Sequence, residues 1–236
     1  NAKDTVPALA HALQDESSNV RRHAAETLGN IGQNAKDAVP ALIQALQDEI
    51  EYVRRHAAEA LGNIGQDAKD AVPALNQALQ DESEYVRRQA AKALGNIDKD
   101  AEDALPALPR SLQDESSHVR RNAVGALGNI GRGVKEAVPA LIQALQDESS
   151  NVRRHATEAL GNINQDAKDA VPALIHALQD EIEYVRLTAA EALGNIGQDA
   201  KDAVPALIQA LQDQSEYVRR NVAGALGNIG QDAKDA

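Results

Sequence analysis

Apolar positions recur along the chain with two alternating helical stripes. In one representative stretch, Val39, Leu42, Ile43 and Leu46 fall on one face of a helix. A few residues later, Val53, Ala57, Ala60, Leu61 and Ile64 do the same. The spacing predicts a first helix over about 38–47 and a second over about 51–64. Polar and special residues punctuate them. Asp37 stands where the first helix needs an N-cap, and Pro40 falls in the first turn, where its missing N–H costs nothing. Ser83 and its equivalents Ser17, Ser116, Ser149 and Ser215 stand where the second helix needs a cap. Ile50 and Ile182 replace it in two places, an expected cost of about 1 kcal/mol per cap. Gly65 follows the second helix, at a position that favours left-handed backbone.

This unit repeats without insertion or deletion. Pro7, Pro40, Pro73, Pro106, Pro139, Pro172 and Pro205 mark the same point of each copy, and Gly29-Asn30 returns on the same period as far as Gly227-Asn228. Seven units fill 1–33, 34–66, 67–99, 100–132, 133–165, 166–198 and 199–231, and 232–236 begins an eighth. No linker interrupts them, so 1–236 reads as a single domain. Two helices of this length cannot bury a core alone, and stability must come from stacking on neighbours. The predicted fold is all-α, an α-solenoid of stacked helix-turn-helix units.

The residues that carry this frame are specific. A first helix opened by Pro40 is followed by Asp48, Val53-Arg54, Ala57-Ala58, and Leu61-Gly62 with Ile64-Gly65. This pattern resembles the HEAT repeat, and in particular the short phycobilisome-lyase-type HEAT-like repeat, over the whole chain. The resemblance implies a right-handed superhelix with first helices on the convex side and second helices on the concave side. It also implies a ladder in which an Asp of the inter-helix turn pairs with an Arg, within or between repeats. Both columns are complete: Asp15, Asp48, Asp81, Asp114, Asp147, Asp180 and Asp213 with Arg21, Arg54, Arg87, Arg120, Arg153, Arg186 and Arg219. Arg54 lies about 75° from the centre of the apolar stripe at 100° per residue. Its partly buried guanidinium needs a carboxylate.

Composition narrows the chemistry. The 236 residues carry 24 Lys and Arg against 36 Asp and Glu, a formal charge of −12, with no Cys, Met, Trp or Phe. The absence of Cys excludes disulfides, thiol nucleophiles and cysteine zinc sites. No apolar run approaches the roughly 18–20 residues of a membrane span, and no signal pattern is present, so no membrane association is expected and the expected location is cytoplasmic. An acidic chain without a basic block is a poor nucleic-acid binder. No nucleic-acid partner is expected.

What remains free is the outward face of the second helices, which at the 8–10 Å spacing of packed helices forms a ridged surface roughly 60 Å long. One column holds Arg22, Arg55, Arg88, Arg121, Arg154 and Arg220, broken by Leu187. The next holds all four tyrosines, Tyr52, Tyr85, Tyr184 and Tyr217, with Asn19, His118 and Asn151 in the other copies. Tyr and Arg are enriched among interface hot spots, so these residues and His56 are the candidate contacts for a protein or peptide. The alternative is that the tyrosines only pack the turn. Glu26, Glu59 and Glu158, four residues after Arg22, Arg55 and Arg154, would then neutralise those arginines on a solvated face. Columns that do not vary, such as Asn30 and Asn63, could bond across repeats or simply record recent duplication.

His56 and Glu59, repeated as His23 with Glu26 and His155 with Glu158, sit one turn apart, but the copies point the same way rather than converging on a metal. No catalytic constellation is apparent, and a regular ridge supplies no pocket. No cofactor is expected. The reading is a non-catalytic interaction scaffold. Two alternatives are a phycobilin-lyase-like protein that handles a bilin through Arg and Tyr, and an engineered consensus scaffold.

Two irregularities carry expectations. Pro109 falls a turn into the fourth copy's first helix, which should be shortened or kinked near 106–112 with a local change in curvature. Gly131-Arg132-Gly133 follows it, with no strand before it to make a phosphate loop. The terminal copies keep the interior frame, so Val6, Leu9 and Leu13 at one end and Val218, Leu226 and Ile229 at the other should have an open side. The chain is then expected to be part of a longer array or multidomain protein, with possible head-to-tail self-stacking.

Overall fold

The computed structural model describes residues 2–97, 107–130 and 135–232. All regular structure among them is helical. The α-helices run α1 Ala2–Ala12, α2 Ser18–Ile31, α3 Val39–Ala45, α4 Glu51–Ile64, α5 Val72–Ala78, α6 Glu84–Ile97, α7 Leu108–Ser111 and α8 Ser117–Ile130. They continue with α9 Val138–Ala144, α10 Ser150–Ile163, α11 Val171–Ala177, α12 Glu183–Ile196, α13 Val204–Ala210 and α14 Glu216–Asp232. Odd-numbered helices are the first of each unit and even-numbered helices the second. The chain divides into two compact units, 1–126 and 127–236.

Each second helix from α2 to α12 starts and stops within a residue of the sequence-based bounds. The first helices do not. The segment before Val39 is already helical, as a 3-10 turn over Gly32–Ala38, and only Val39–Ala45 is α-helical. Asp37 therefore sits inside a helical segment and caps nothing. Ala38, the residue before α3, has φ −90° and ψ −3° and no side-chain cap. Continuing helical backbone supplies the N–H partners that a cap would have supplied.

The second-helix cap also differs from the serine rule. Ser17 and Ser149 adopt the extended cap conformation but bond no helix N–H through their side chains, as do Ile50 and Ile182. The turn is instead organised one step earlier. Asp48 Oδ1 accepts the Ile50 N–H at 2.9 Å, and the same bond recurs from Asp81 to Ser83, Asp114 to Ser116, Asp180 to Ile182 and Asp213 to Ser215. Because the aspartate fixes the turn, isoleucine replaces serine without a broken cap. Ser83 and Ser215 are exceptions, their Oγ atoms accepting the Tyr85 N–H at 3.2 Å and the Val218 N–H at 3.5 Å.

In the unit formed by 1–126, α2, α4 and α6 pack side by side, each backed by its own first helix. Leu28, Leu42, Leu61, Ile64, Leu75 and Leu94 between the two layers are fully buried. In the unit formed by 127–236, α10, α12 and α14 repeat the arrangement. A glycine column sets how near the second helices come. A Cβ placed on Gly62 would lie 2.9 Å from Ala93 Cα, on Gly95 2.7 Å from Ala126 Cα, and on Gly194 2.9 Å from Ala225 Cα. Backbones therefore touch at a Gly–Ala pair in each interface. Asn63 spans the same seam, its Nδ2 donating to Gly29 O at 3.3 Å.

Where described, the connection between successive repeats is made by a residue of positive φ. Gly32, Gly65 and Gly197 have φ of 62°, 73° and 71°, and Asn164 takes the same place at 59°. Their ψ lies near −135°, outside the left-handed helical region expected from sequence, since the chain must re-enter a 3-10 turn at once. In the fourth copy, α7 is four residues long against seven in α3, α5, α9, α11 and α13. Pro109 lies at its start, so the helix is shortened as expected. Pro106 and Gly131-Arg132-Gly133 lie outside the described residues.

Candidate functional site

Two surfaces carry the charged columns. The first is the turn edge. Arg54 lies in the first turn and a half of α4, and its guanidinium faces the turn of the following unit. Its Nε and Nη2 donate to Asp81 Oδ2 and Oδ1 at 2.7 and 2.9 Å, and Nη1 donates to the carbonyls of Asp48 and Glu49 in its own turn. Nη2 also reaches Glu82 Oε1 at 3.2 Å. All five N–H donors thus have an acceptor nearby. Arg21, Arg87, Arg153 and Arg186 repeat the bidentate bond to Asp48, Asp114, Asp180 and Asp213. The carboxylate partner therefore belongs to the next repeat, while the Asp of the same repeat offers its backbone.

The ladder fixes its own charge states. At Asp48, Asp114 and Asp180 burial pushes the carboxyl up. The arginine hydrogen bond, the backbone N–H two residues on and the flanking arginine charges outweigh it, so each ends below the usual carboxylate range. At Asp213 the Arg186 hydrogen bond is the largest influence, with the same result. Arg21, Arg54, Arg87, Arg153 and Arg186 are raised, first by the aspartate hydrogen bond. A cleft beside Arg153 and Asp180, lined also by Leu145 and His176, belongs to this edge.

The second surface is the outward face of the even-numbered helices, where the contact candidates lie. Tyr52, Tyr85, Tyr184 and Tyr217 are 54, 45, 62 and 53% exposed, too open to be packing the turn core. Three of them are stacked under an arginine one turn on, with Arg55, Arg88 and Arg220 guanidinium carbons 5.4, 5.6 and 5.9 Å from the ring centres. Tyr184 has Leu187 in that place. Arg22, Arg55, Arg88, Arg121 and Arg154 are half-buried and Arg220 is exposed.

The expected self-neutralisation is partial. Arg154 Nε lies 3.8 Å from Glu158. Arg55 instead donates to His56 Nε2 at 2.9 Å, and Glu59 turns to His56 Nδ1 at 3.4 Å. His56 is buried, and burial, followed by the Arg55 charge, holds its pKa below the ordinary histidine value. Of the residues nominated from sequence, it is the one the fold withdraws from the surface. Among the described residues no cluster of three or more metal-ligand side chains occurs, and no helix is long and apolar enough to cross a membrane.

The terminal surfaces differ from the sequence expectation. Val6, Leu13, Val218 and Ile229 are buried and Leu9 and Leu226 half-buried, because each faces its own repeat and the interior neighbour. The residues facing outward are Thr5 and Thr27, exposed where later copies bury Ala38 and Ala60, and Ile208, 56% exposed. A Cβ on Gly227 would meet nothing within 4 Å. The two threonines were legible as departures from the alanine column and mark a polar first repeat that the repeat count alone overlooked.

Comparison with known proteins agrees with this frame. No curated protein matches the sequence significantly. Among solved structures, an engineered protein is 29% identical with a TM-score of 0.69, over 95% of this chain and 68% of that one. A second engineered protein is 25% identical with a TM-score of 0.55, over 96% of each chain. The complex of CpcE and CpcF of phycocyanin lyase from Nostoc sp. PCC7120 is 29% identical with a TM-score of 0.61, over 95% of this chain and 94% of that one. The profile of the family described as HEAT repeats matches residues 1–49, 39–117, 72–142, 109–181, 138–202 and 171–236 in overlapping windows. With helix-turn-helix units throughout the described residues and that profile running over the whole sequence, the chain belongs to the HEAT-repeat family.

Proposed function

We propose that this HEAT-repeat chain is a non-catalytic scaffold that binds a protein or peptide along the outward face of its second helices, the face that the family resemblance puts on the concave side. The observation that carries the reading is the column of exposed tyrosines held under arginines, Tyr52 with Arg55, Tyr85 with Arg88 and Tyr217 with Arg220. A stacked Tyr–Arg pair offers a large amphipathic surface already ordered before binding, which lowers the entropic cost of contact. The turn edge is the weaker candidate, because its arginines are consumed by the ladder. The test is affinity capture with the native chain and with a variant carrying Tyr52→Ala, Tyr85→Ala, Arg55→Glu and Arg88→Glu. A protein retained by the first and lost by the second supports the reading; identical recoveries overturn it.

The similarity to the CpcE–CpcF complex favours a second reading, in which the same Tyr–Arg face holds a bilin chromophore. Bilin added to the chain would then gain a visible absorbance shift that Arg88→Glu abolishes. Association of copies end to end would set Thr27 against Gly227, where every interior seam has Ala against Gly. Such a contact is looser than an interior one, and light scattering over a concentration series tests it.

A further inference from the structure

The outward face is not uniform in charge. In the unit formed by 1–126 it carries Arg22, Arg55, Arg88, Lys92 and Arg121 against Glu26, Glu51, Glu59 and Glu84. Lys92 stands where α4 has Glu59, and Gly125 of α8 stands at the same place. Around Arg88, Lys92 and Arg121 the helices α6 and α8 supply a single carboxylate, Glu84. Glu84 begins α6, but neither it nor any other carboxylate among the described residues makes an ion pair with Arg88, Lys92 or Arg121. Arg55, on the neighbouring α4, donates to neutral His56 and leaves its buried Nε without a partner. In a chain of net charge −12, this is a local cluster of unpaired cations on a surface with two exposed tyrosines.

We infer that the face of α4, α6 and α8 is a docking site for an acidic peptide segment in extended conformation, running across the helices with carboxylates on Arg55, Arg88 with Lys92, and Arg121. This rests on the scaffold reading above and names the chemistry of its partner. Charge complementarity selects the occupant: carboxylates supply the acceptors these guanidinium groups lack, and a planar carboxylate suits the bidentate fork. Register follows from geometry. Packed helices lie about 8–10 Å apart, and an extended chain of polyproline-II type rises about 3.1 Å per residue with three residues per turn, so an acidic residue at every third position returns to one face and meets successive helices. Tyr52 and Tyr85 flank that line and cover the residues between. The modest density of charge suits a peptide better than a nucleic acid, whose phosphate spacing would require a longer continuous stripe of cations.

The test is fluorescence anisotropy with the full chain and labelled dodecapeptides of matched length, carrying Glu, Ser or Lys at every third position, with a dT oligonucleotide as a fourth probe. The expected result is that the Glu peptide binds, weakens steeply between about 50 and 300 mM salt, and loses at least about tenfold in affinity with Arg88→Glu/Lys92→Glu. Lys201→Glu, exposed in the 3-10 turn before α13 and outside the outward face, should leave it unchanged, and circular dichroism should show both variants folded. Equal binding of the Glu and Lys peptides overturns the inference, as does tighter binding of the oligonucleotide. If the Ser peptide binds equally well and is lost only with Tyr52→Ala/Tyr85→Ala, the acidic partner falls and the scaffold reading stands. If no probe binds while a captured protein still needs the tyrosines, the outcome is the same. If nothing binds and nothing is captured, both fall.

Discussion

Helices α6 and α12 are built on one template and present opposite surfaces. Both run 14 residues, both bury Val, Ala, Leu and Ile at the same places, and both bind the next turn through an arginine: Arg87 to Asp114, Arg186 to Asp213. Their inward faces and turn edges are interchangeable. Outward, α6 shows Tyr85, Arg88 and Lys92, while α12 shows Tyr184, Leu187 and Glu191. The difference teaches that in this protein the stacking frame and the contact surface occupy separate residue columns. The first can be held constant while the second changes sign, because a repeat touches its neighbours only through the frame.

The largest expected effect removes the frame everywhere at once. The ladder carboxyls at Asp48, Asp114, Asp180 and Asp213 lie below their ordinary range in the folded chain. Their stabilisation is therefore fully present above the unfolded carboxylate pKa of about 3.9 and is lost as pH falls through the lower folded values. Urea midpoints should hold from about pH 7 to 5 and drop below about pH 4. Hydrogen exchange on α6 and α12 should respond together. Separate acid transitions for the two helices would show that their edges are not equivalent after all.

Next in size, Arg87→Ala and Arg186→Ala should each cost about 3 kcal/mol, since each leaves a carboxylate and two turn carbonyls without their donor. Chemical denaturation of the pair should agree within about 1 kcal/mol, additivity failing only for neighbours. The close seam comes third. Gly95→Ala and Gly194→Ala place a Cβ 2.7 and 2.9 Å from a facing backbone Cα and should each cost about 2 kcal/mol by forcing the helices apart. Gly227→Ala meets nothing within 4 Å and should stabilise by up to about 1 kcal/mol through helix propensity alone. Thermal melts of the three variants check both signs.

The smallest effect on stability tests the comparison most directly. Leu187→Arg with Glu191→Lys gives α12 the outward chemistry of α6. With Leu187 half-buried and Glu191 exposed, the midpoint should move by no more than about 0.5 kcal/mol, as for other surface substitutions. The variant should gain affinity for the Glu dodecapeptide, measured by anisotropy. A folded variant with no gain would mean that the α6 face depends on more than its charges.

Much of this could be read from residues alone. Sustained spacing of Val53, Ala57, Leu61 and Ile64 located α4, since a 14-residue amphipathic stripe has one stable solution. The identity of the ladder residues came with the resemblance to the HEAT repeat, and the place of Arg54 at the margin of an apolar stripe, where it needs an acceptor, agreed with it. The bounds of the first helices were not legible. Seven α-helical residues after a 3-10 turn are too short for their own periodicity to fix where they start, and backbone continuity removed the need for the Asp37 cap. The role of Asp48 as turn-former as well as ion-pair partner was missed for a similar reason: a carboxylate two residues before a helix looks the same whether it bonds a side chain, a backbone N–H or both.

Of the candidate surface, sequence named the columns of Tyr52 and Arg55 correctly as neighbours, because three residues on a helix is one turn. It could not say that His56, one position further, is buried, nor that Arg88, Lys92 and Arg121 have no ion-pair partner among the described residues. Those facts depend on which side chains the adjacent helices bring within reach. The sequence by itself determined what is local or periodic: the helices of each unit, their apolar faces, and the family. Tertiary structure decided what passes between neighbouring repeats. Arg54 reaches the next repeat's Asp81 carboxylate and its own turn's carbonyls, and Gly62 marks where two backbones meet. Such contacts arise from packing distance, and the spacing of residues along the chain carries no record of it.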